Sequence, residues 1–271
     1  MSTASDTSSE FVFAQHQRFG KFMMDCNDSL ALFYEAGCGK TAIALWWVRD
    51  ALRDGRIEDA LVICPASLVP SWEQAIEDMV RFEGFSDDDV RMLRESVTVV
   101  SFQRTYKKAR PSKRVIPLRD EVDKLWGAVI VDESHCIGSH SSVQTKAAIT
   151  IGQNAKYRWI LSGTPTHGGG GGADFSKLYG QMQFLAKGTL WKNWTDFCSK
   201  CVVSYDNWRK PRKYNEDVCK RVMEEHSIVC KLEDCFDMPE VIEKDIPCPL
   251  SAKEVYKDLK EGRLEKYGLD I

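Results

Sequence analysis

At 271 residues and 43% hydrophobic, the chain is long enough to bury a full core, as one large domain or two small ones. Lys and Arg total 37 against 40 Asp and Glu, a net charge of -3, which excludes a global positive field that recruits nucleic acid; any such contact has to be local. Ten scattered cysteines fit reduced thiols of a cytosolic-type compartment rather than a disulfide framework.

Residues 1–10 are rich in Ser and Thr and acidic, with neither a basic end nor an apolar core. They read as a disordered tail, not as a secretory signal or transit peptide. Residues 11–24 carry apolar positions at helical spacing and include His16-Gln17. A Gln side chain holds both a donor and an acceptor, the pair that reads an adenine edge, although a surface Gln on a helix is the bland alternative.

The stretch Leu30-Ala31-Leu32-Phe33-Tyr34-Glu35-Ala36-Gly37-Cys38-Gly39-Lys40-Thr41 organises the rest. An apolar run of strand length breaks at two glycines, and an amphipathic helical run follows Lys40-Thr41 at once. Such a strand, loop and helix form a phosphate cradle. Glycines let successive N–H groups face a polyphosphate, and the helix directs its positive dipole end at the same anion. Gly37, Cys38, Gly39, Lys40 and Thr41 are the nucleotide-binding candidates, Lys40 for the β and γ phosphates and Thr41 for Mg2+. The longer eight-residue pattern would place a glycine where Tyr34 stands, so the match is to the short Gly-x-Gly-Lys-Thr form. Glu35, Gly37, Gly39 and Lys40 in the middle of residues 30–48 exclude a membrane span there.

Ala60-Leu61-Val62-Ile63-Cys64 reads as a second, fully buried strand ended by Pro65, with a helix following through Val80. Ser67, at that loop-to-helix junction, suits a nucleic-acid phosphate or an ordinary helix cap equally well. Residues 97–102 form a third strand that ends in Ser101-Phe102, and the basic run from Lys107 to Arg114 reads as a solvated loop in preference to a DNA-contacting one. Residues 127–131 form a fourth strand, with Asp132-Glu133-Ser134-His135 at its carboxyl end. Beside a phosphate loop, that is where Mg2+ and the attacking water sit, so Asp132 is read as the metal-shell residue and Glu133 as the base. Residues 157–161 make a fifth strand ending in Ser162-Gly163-Thr164-Pro165, whose hydroxyls are placed to couple the site to a neighbouring lobe.

Five consecutive glycines, 168–172, read as a flexible loop, and a helix resumes over 174–185. Arg209-Lys210-Pro211-Arg212-Lys213, between Trp208 and Tyr214, is a second basic patch, suited to base stacking or to a plain linker. Cys198 and Cys201 form a Cys-x-x-Cys with Cys230 and Cys235 later, but no second such pair or paired His completes a zinc pattern. Five strands each followed by a helical segment predict an α/β fold, a parallel P-loop sheet with helices on both faces in a three-layer sandwich.

Taken together, these stretches resemble the first RecA-like lobe of a superfamily-two helicase, nearest to the Swi/Snf-like DNA translocases and including phage types. The resembling motifs are His16-Gln17, the loop from Glu35 to Thr41, residues 63–72, Val100-Ser101-Phe102, the Asp132 to His135 tetrad and Leu161 to Pro165. Asp237-Met238-Pro239-Glu240 to Leu259 is similar to the linker and helix that lead to the family's second lobe. The resemblance implies an ATP- and Mg2+-dependent helicase or translocase acting on double-stranded DNA, RNA being the lesser expectation. In it Gln17 reads adenine, Lys40 with Asp132 and Glu133 drives hydrolysis, and His135 with Ser162, Gly163 and Thr164 couples hydrolysis to DNA movement. Ser67, Ser101 and Phe102 are the nucleic-acid candidates. The implied organisation is a tail over 1–10, the ATP-binding lobe over 11–250 and a linker helix over 251–271. A second RecA-like lobe carrying the arginine fingers, in cis or in trans, is the implied partner, and no membrane is involved. The implied setting is cytoplasmic or nuclear, or the host cytoplasm for a phage protein. Thr166-His167 leads into glycines where the family usually has an Asn or Gln. A nucleotide-binding module or split-gene half without activity of its own is the alternative.

Overall fold

In the computed structural model, which describes residues 11–107, 117–166 and 174–236, six strands make one parallel sheet. They are β1 (Ser29–Tyr34), β2 (Ala60–Cys64), β3 (Val97–Ser101), β4 (Trp126–Asp132), β5 (Ala155–Leu161) and β8 (Ser227–Cys230). The remaining two, β6 (Val202–Tyr205) and β7 (Pro211–Tyr214), form a separate antiparallel hairpin. Across the large sheet the order is β3-β2-β4-β5-β1-β8. Every pairing in it is parallel, so every strand delivers its carboxyl end to one edge.

The period-two alternation of the strands splits the core into two layers. Leu30, Leu32, Tyr34, Ala60, Val62, Ala128 and Ile130 face one side, and Ala31, Phe33, Leu61, Ile63, Val129 and Val131 face the other. The first side is covered by α1 (Gln15–Asp25), α2 (Lys40–Arg53), α3 (Val69–Asp78) and α4 (Asp87–Ser96). The second is covered by α5 (Val143–Gln153), α6 (Ser176–Leu185), α7 (Trp194–Cys201) and α8 (Glu216–His226). Apolar residues on both faces explain why these strands read as continuous hydrophobic runs. The first layer is anchored by Trp47, fully buried and edge-on to Tyr157 and Trp159 at 4.9 Å each. Truncating such a ring to Ala costs ~3–5 kcal/mol.

Several boundaries differ from the sequence expectation for tertiary reasons. The first helix begins at Gln15 rather than residue 11, because Phe11 pairs with the chain around Phe82 and Phe13 stacks on Trp46 at 4.0 Å. The third helix stops at Asp78 and runs on as a 3-10 turn over Met79–Arg81. The sixth parallel strand, β8, was not expected: it spans four residues and follows α8 without a turn. The patch from Arg209 to Lys213 is not a linker but belongs to the β6–β7 hairpin, with Trp208 exposed near its tip. Among the described residues no helix is long and apolar enough to cross a membrane. The expected tail over 1–10, the basic run beyond Lys107, the 168–172 glycines and the linker segment from residue 237 lie outside the described residues.

Candidate active site

Beyond Tyr34 the chain turns at Gly37 and Gly39, with φ of 90° and 76°, a backbone region that L side chains rarely adopt. Gly39 is the N-cap of α2, and a Cβ there would collide with the amide nitrogen of Gln17. Glycine at 39 is thus required twice, by backbone angle and by the helix lying over the loop. Lys40 opens α2 and its Nζ donates to the carbonyls of Tyr34 (2.7 Å) and Glu35 (3.1 Å), which holds the cation over the loop.

The first helix is fastened to the same loop. Tyr34 donates its hydroxyl to the carbonyl of His16 at 3.1 Å, and His16 Nε2 lies 3.1 Å from the carbonyl of Cys38. Gln17 Oε1 accepts from the Ala14 N–H at 2.8 Å, at the start of α1. That bond orients the side chain and leaves its NH2 group on the loop side, against Gly39.

Sheet register brings the other motifs to this edge. Asp132 at the end of β4 pairs with Leu161 at the end of β5, and Leu161 pairs with Leu32 of β1. Asp132 is 6% exposed and accepts two hydrogen bonds at 2.8 Å, one from the Trp72 indole N–H and one from the Glu133 N–H. Burial pushes its carboxyl above the ordinary range, opposed by those two donors and by nearby Lys40. A buried carboxylate with one cation near it is the kind of oxygen donor that suits a divalent ion.

Glu133 leaves the sheet in a left-handed conformation, φ 48° and ψ 51°, and its carboxylate lies 3.2 Å from His135 Nδ1. The same nitrogen is 3.3 Å from the Ser162 hydroxyl, and that oxygen accepts from the Thr164 N–H at 3.1 Å. Hydrogen bonds to Cys136 and Glu133 raise His135 to about 9, so it is charged at neutral pH, while His135 holds Glu133 below its usual range. A carboxylate, an imidazolium and the β5 terminus are therefore wired in series. Gly163 sits where a Cβ would meet the Ala36 N and the Tyr34 O at 3.4 Å, so this turn lies directly against the phosphate loop.

Of the residues singled out from the sequence, Gln17, Gly37, Cys38, Gly39, Lys40, Asp132, Glu133, His135, Ser162, Gly163 and Thr164 converge on this edge. The nucleic-acid candidates divide. Ser67 is exposed on a 3-10 turn, whereas Ser101 and Phe102 are 8% and 2% exposed. Ser101 is buried at the end of β3, and Phe102 fills the second core layer. Two participants carried no sequence signal of this role. Trp72 reaches Asp132 across sixty positions. Gln181 accepts from the Ser134 hydroxyl at 2.7 Å and donates to the Pro165 carbonyl at 2.8 Å, joining the β4 and β5 exits. The one hint was that α6 carries two polar residues, Gln181 and Gln183, at buried positions.

A three-layer parallel sheet with a Gly-x-Gly-Lys-Thr loop and an Asp-Glu-Ser-His strand end defines the P-loop class of α/β fold. The chain belongs to the SNF2-related domain family, whose profile matches residues 15–264. It is 26% identical over 165 residues to Transcription termination factor 2 of Drosophila melanogaster, covering 55% of this chain and 14% of that protein. It is 25% identical over 190 residues to DNA repair and recombination protein RAD54B of Gallus gallus, covering 64% and 18%. The chain thus spans less than a fifth of either relative. Two solved structures share its fold at a TM-score of 0.57. The Sulfolobus solfataricus SWI2/SNF2 ATPase core domain is 20% identical, covering 97% of this chain and 54% of that one. The same core in complex with double-stranded DNA is 19% identical, covering 85% and 47%.

Proposed function

We propose that this chain is the first, ATP-binding lobe of a Swi/Snf-like translocase that couples hydrolysis of ATP with Mg2+ to movement on double-stranded DNA inside the cell, in cytoplasm or nucleus. The observation that carries the reading is the register Asp132–Leu161–Leu32, which puts the ends of β4, β5 and β1 side by side at the phosphate loop. In this reading the lobe is residues 11–250, followed by a linker helix over 251–271 and a second RecA-like lobe in cis or in trans.

The chain's own groups divide the work. Gly37 to Gly39 offer backbone donors to the phosphates, Lys40 exchanges its carbonyl partners for phosphate oxygens, and Gln17 presents its NH2 group to the adenine edge. Thr41 and Asp132 are the residues for Mg2+, which when bound neutralises phosphate charge. Glu133 takes the proton of the attacking water, a role that its lowered pKa permits because the carboxylate stays ionised. Ser162, Gly163 and Thr164 carry the change at the γ phosphate outward through His135, and Ser67 is the exposed hydroxyl available to a DNA phosphate.

Titration with a fluorescent ATP analogue in Mg2+ tests the site. Lys40→Ala is expected to weaken binding by at least ~10-fold, the loss of one charge-assisted phosphate contact, while the fold stays intact. Equal affinity of wild type and variant would remove the loop from the reading.

A further inference from the structure

We propose that Cys38, Cys230 and Cys235 form a thiolate site for Zn2+ that clamps the phosphate loop to the chain segment after β8. The sequence spreads these residues over almost two hundred positions, and the sheet collects them. Tyr34 pairs with Cys230 at the β1–β8 ladder, and the four-residue turn α9 (Leu232–Cys235) folds back over the loop. Their sulfur atoms all lie within 4.8 Å of one another. Three sulfurs around one tetrahedral Zn2+ at ~2.3 Å each stand ~3.8 Å apart, so the sulfurs of Cys230 and Cys235, now 2.7 Å apart, have to separate by ~1 Å to share an ion.

Three further observations single out this corner. Cys38 and Cys230 are buried while Cys235 is half-buried, which gives an ion a way in. The segment is already docked: Leu232 N–H donates to Glu35 Oε2 at 2.9 Å, Glu35 N–H donates to the Cys230 carbonyl at 2.9 Å, and Leu232 sits where a Cβ on Gly37 would touch it at 3.5 Å. Cys198, Cys201 and Cys219 lie on the opposite face of the sheet, so the Cys-x-x-Cys pair and the Cys230–Cys235 pair cannot share an ion.

Binding is balanced as Zn2+ replacing three thiol protons, which leave to solvent, with water completing the fourth position. Soft thiolates favour zinc over magnesium, so this site is chemically separate from the oxygen set at Thr41 and Asp132. The test is anaerobic titration of the reduced full chain with Zn2+ against a chromophoric chelator, and with Co2+ followed by its thiolate charge-transfer absorption. One tight equivalent with tetrahedral thiolate–cobalt bands is expected. Cys235→Ser should weaken Zn2+ binding by ~100-fold and abolish the zinc-induced rise in melting temperature, whereas Cys201→Ser should alter neither. Because Cys235 is half-exposed, its Ser variant is expected to fold, and circular dichroism checks that it does; Cys230→Ser provides the second reading. Zinc binding unchanged in both Ser variants, no tight equivalent in wild type, or a Cys230–Cys235 disulfide that re-forms in preference to metal uptake would each overturn the site. ATP-analogue binding is not the readout, so failure here is distinct from failure of the nucleotide reading.

Discussion

Glu133 occupies a left-handed backbone conformation that costs a non-glycine residue on the order of 1–2 kcal/mol, and what offsets it is the contact with His135. The contact holds the carboxylate at one place rather than leaving it to wander, as the proposed role of base requires. Glu133→Gln keeps shape and hydrogen bonding but removes basicity. Analogue affinity should stay within ~3-fold of wild type, and hydrolysis measured in a two-lobe form should fall by ~10²-fold or more, the usual worth of a positioned base. Undiminished turnover would move the role elsewhere. His135 adds a pH signature. Its value rises from 6.5 to about 9 on folding, so its stabilising contribution is complete below pH 6.5 and is lost as pH climbs through about 9. Urea unfolding of wild type should therefore show stability declining across that window, and His135→Gln should flatten the decline.

Helix α6 matters because it is pressed onto the turn that follows Glu133. Gly180 faces the carbonyl of Ile137 so closely that any Cβ would collide with backbone, and its neighbour Gln181 bonds both the Ser134 hydroxyl and the Pro165 carbonyl. The glycine sets the depth of the helix, and that depth brings Gln181 within reach. Gly180→Ala should destabilise the fold by ~1–3 kcal/mol through overpacking, read as a lower urea midpoint at unchanged slope. Gln181→Leu keeps much of the volume but strands the Ser134 hydroxyl and the Pro165 carbonyl, at ~1–3 kcal/mol for an unmet buried partner. The two helices α2 and α6 thus frame the site from opposite faces of the sheet, α2 through its N-terminus and α6 through one amide side chain.

At the scale of the molecule, the chain covers 47% and 54% of the two solved cores it resembles and carries a net charge of -3. In the proposed function, a site assembled at one sheet edge has its phosphate loop, metal residues and base on one side. The charge developing on a transferred phosphoryl group needs donors from the other side as well. The 271-residue chain is expected to bind ATP, hydrolyse it slowly and respond little to duplex DNA, since its own field does not attract the polyanion. Adding a second RecA-like lobe, fused or as a separate chain, should raise phosphate release by ~10³–10⁵, the worth of an arginine finger, and make it DNA-dependent. Strong DNA-stimulated release by the short chain alone would mean that the lobe is completed by another copy of itself, which the mass of the ATP-bound species would reveal.

What the sequence determined by itself is what local chemistry can express. The glycines at 37 and 39 before Lys40-Thr41, the carboxylates after an apolar strand and the period-two runs of β1, β2 and β4 each act through neighbours in the chain, so the sandwich and the edge where these residues meet were readable from residues alone. Only the tertiary structure decided the rest. Trp72 on Asp132, Gln181 between two strand exits, the strand β8 and the grouping of Cys38 with Cys230 and Cys235 depend on partners tens to almost two hundred positions away. A hydrogen bond or a shared ion leaves no periodicity in the chain that makes it. Burial likewise decides where the Phe102 ring lies, in the apolar layer after β3, because about 25 cal/mol per Å² favours the core over an exposed face.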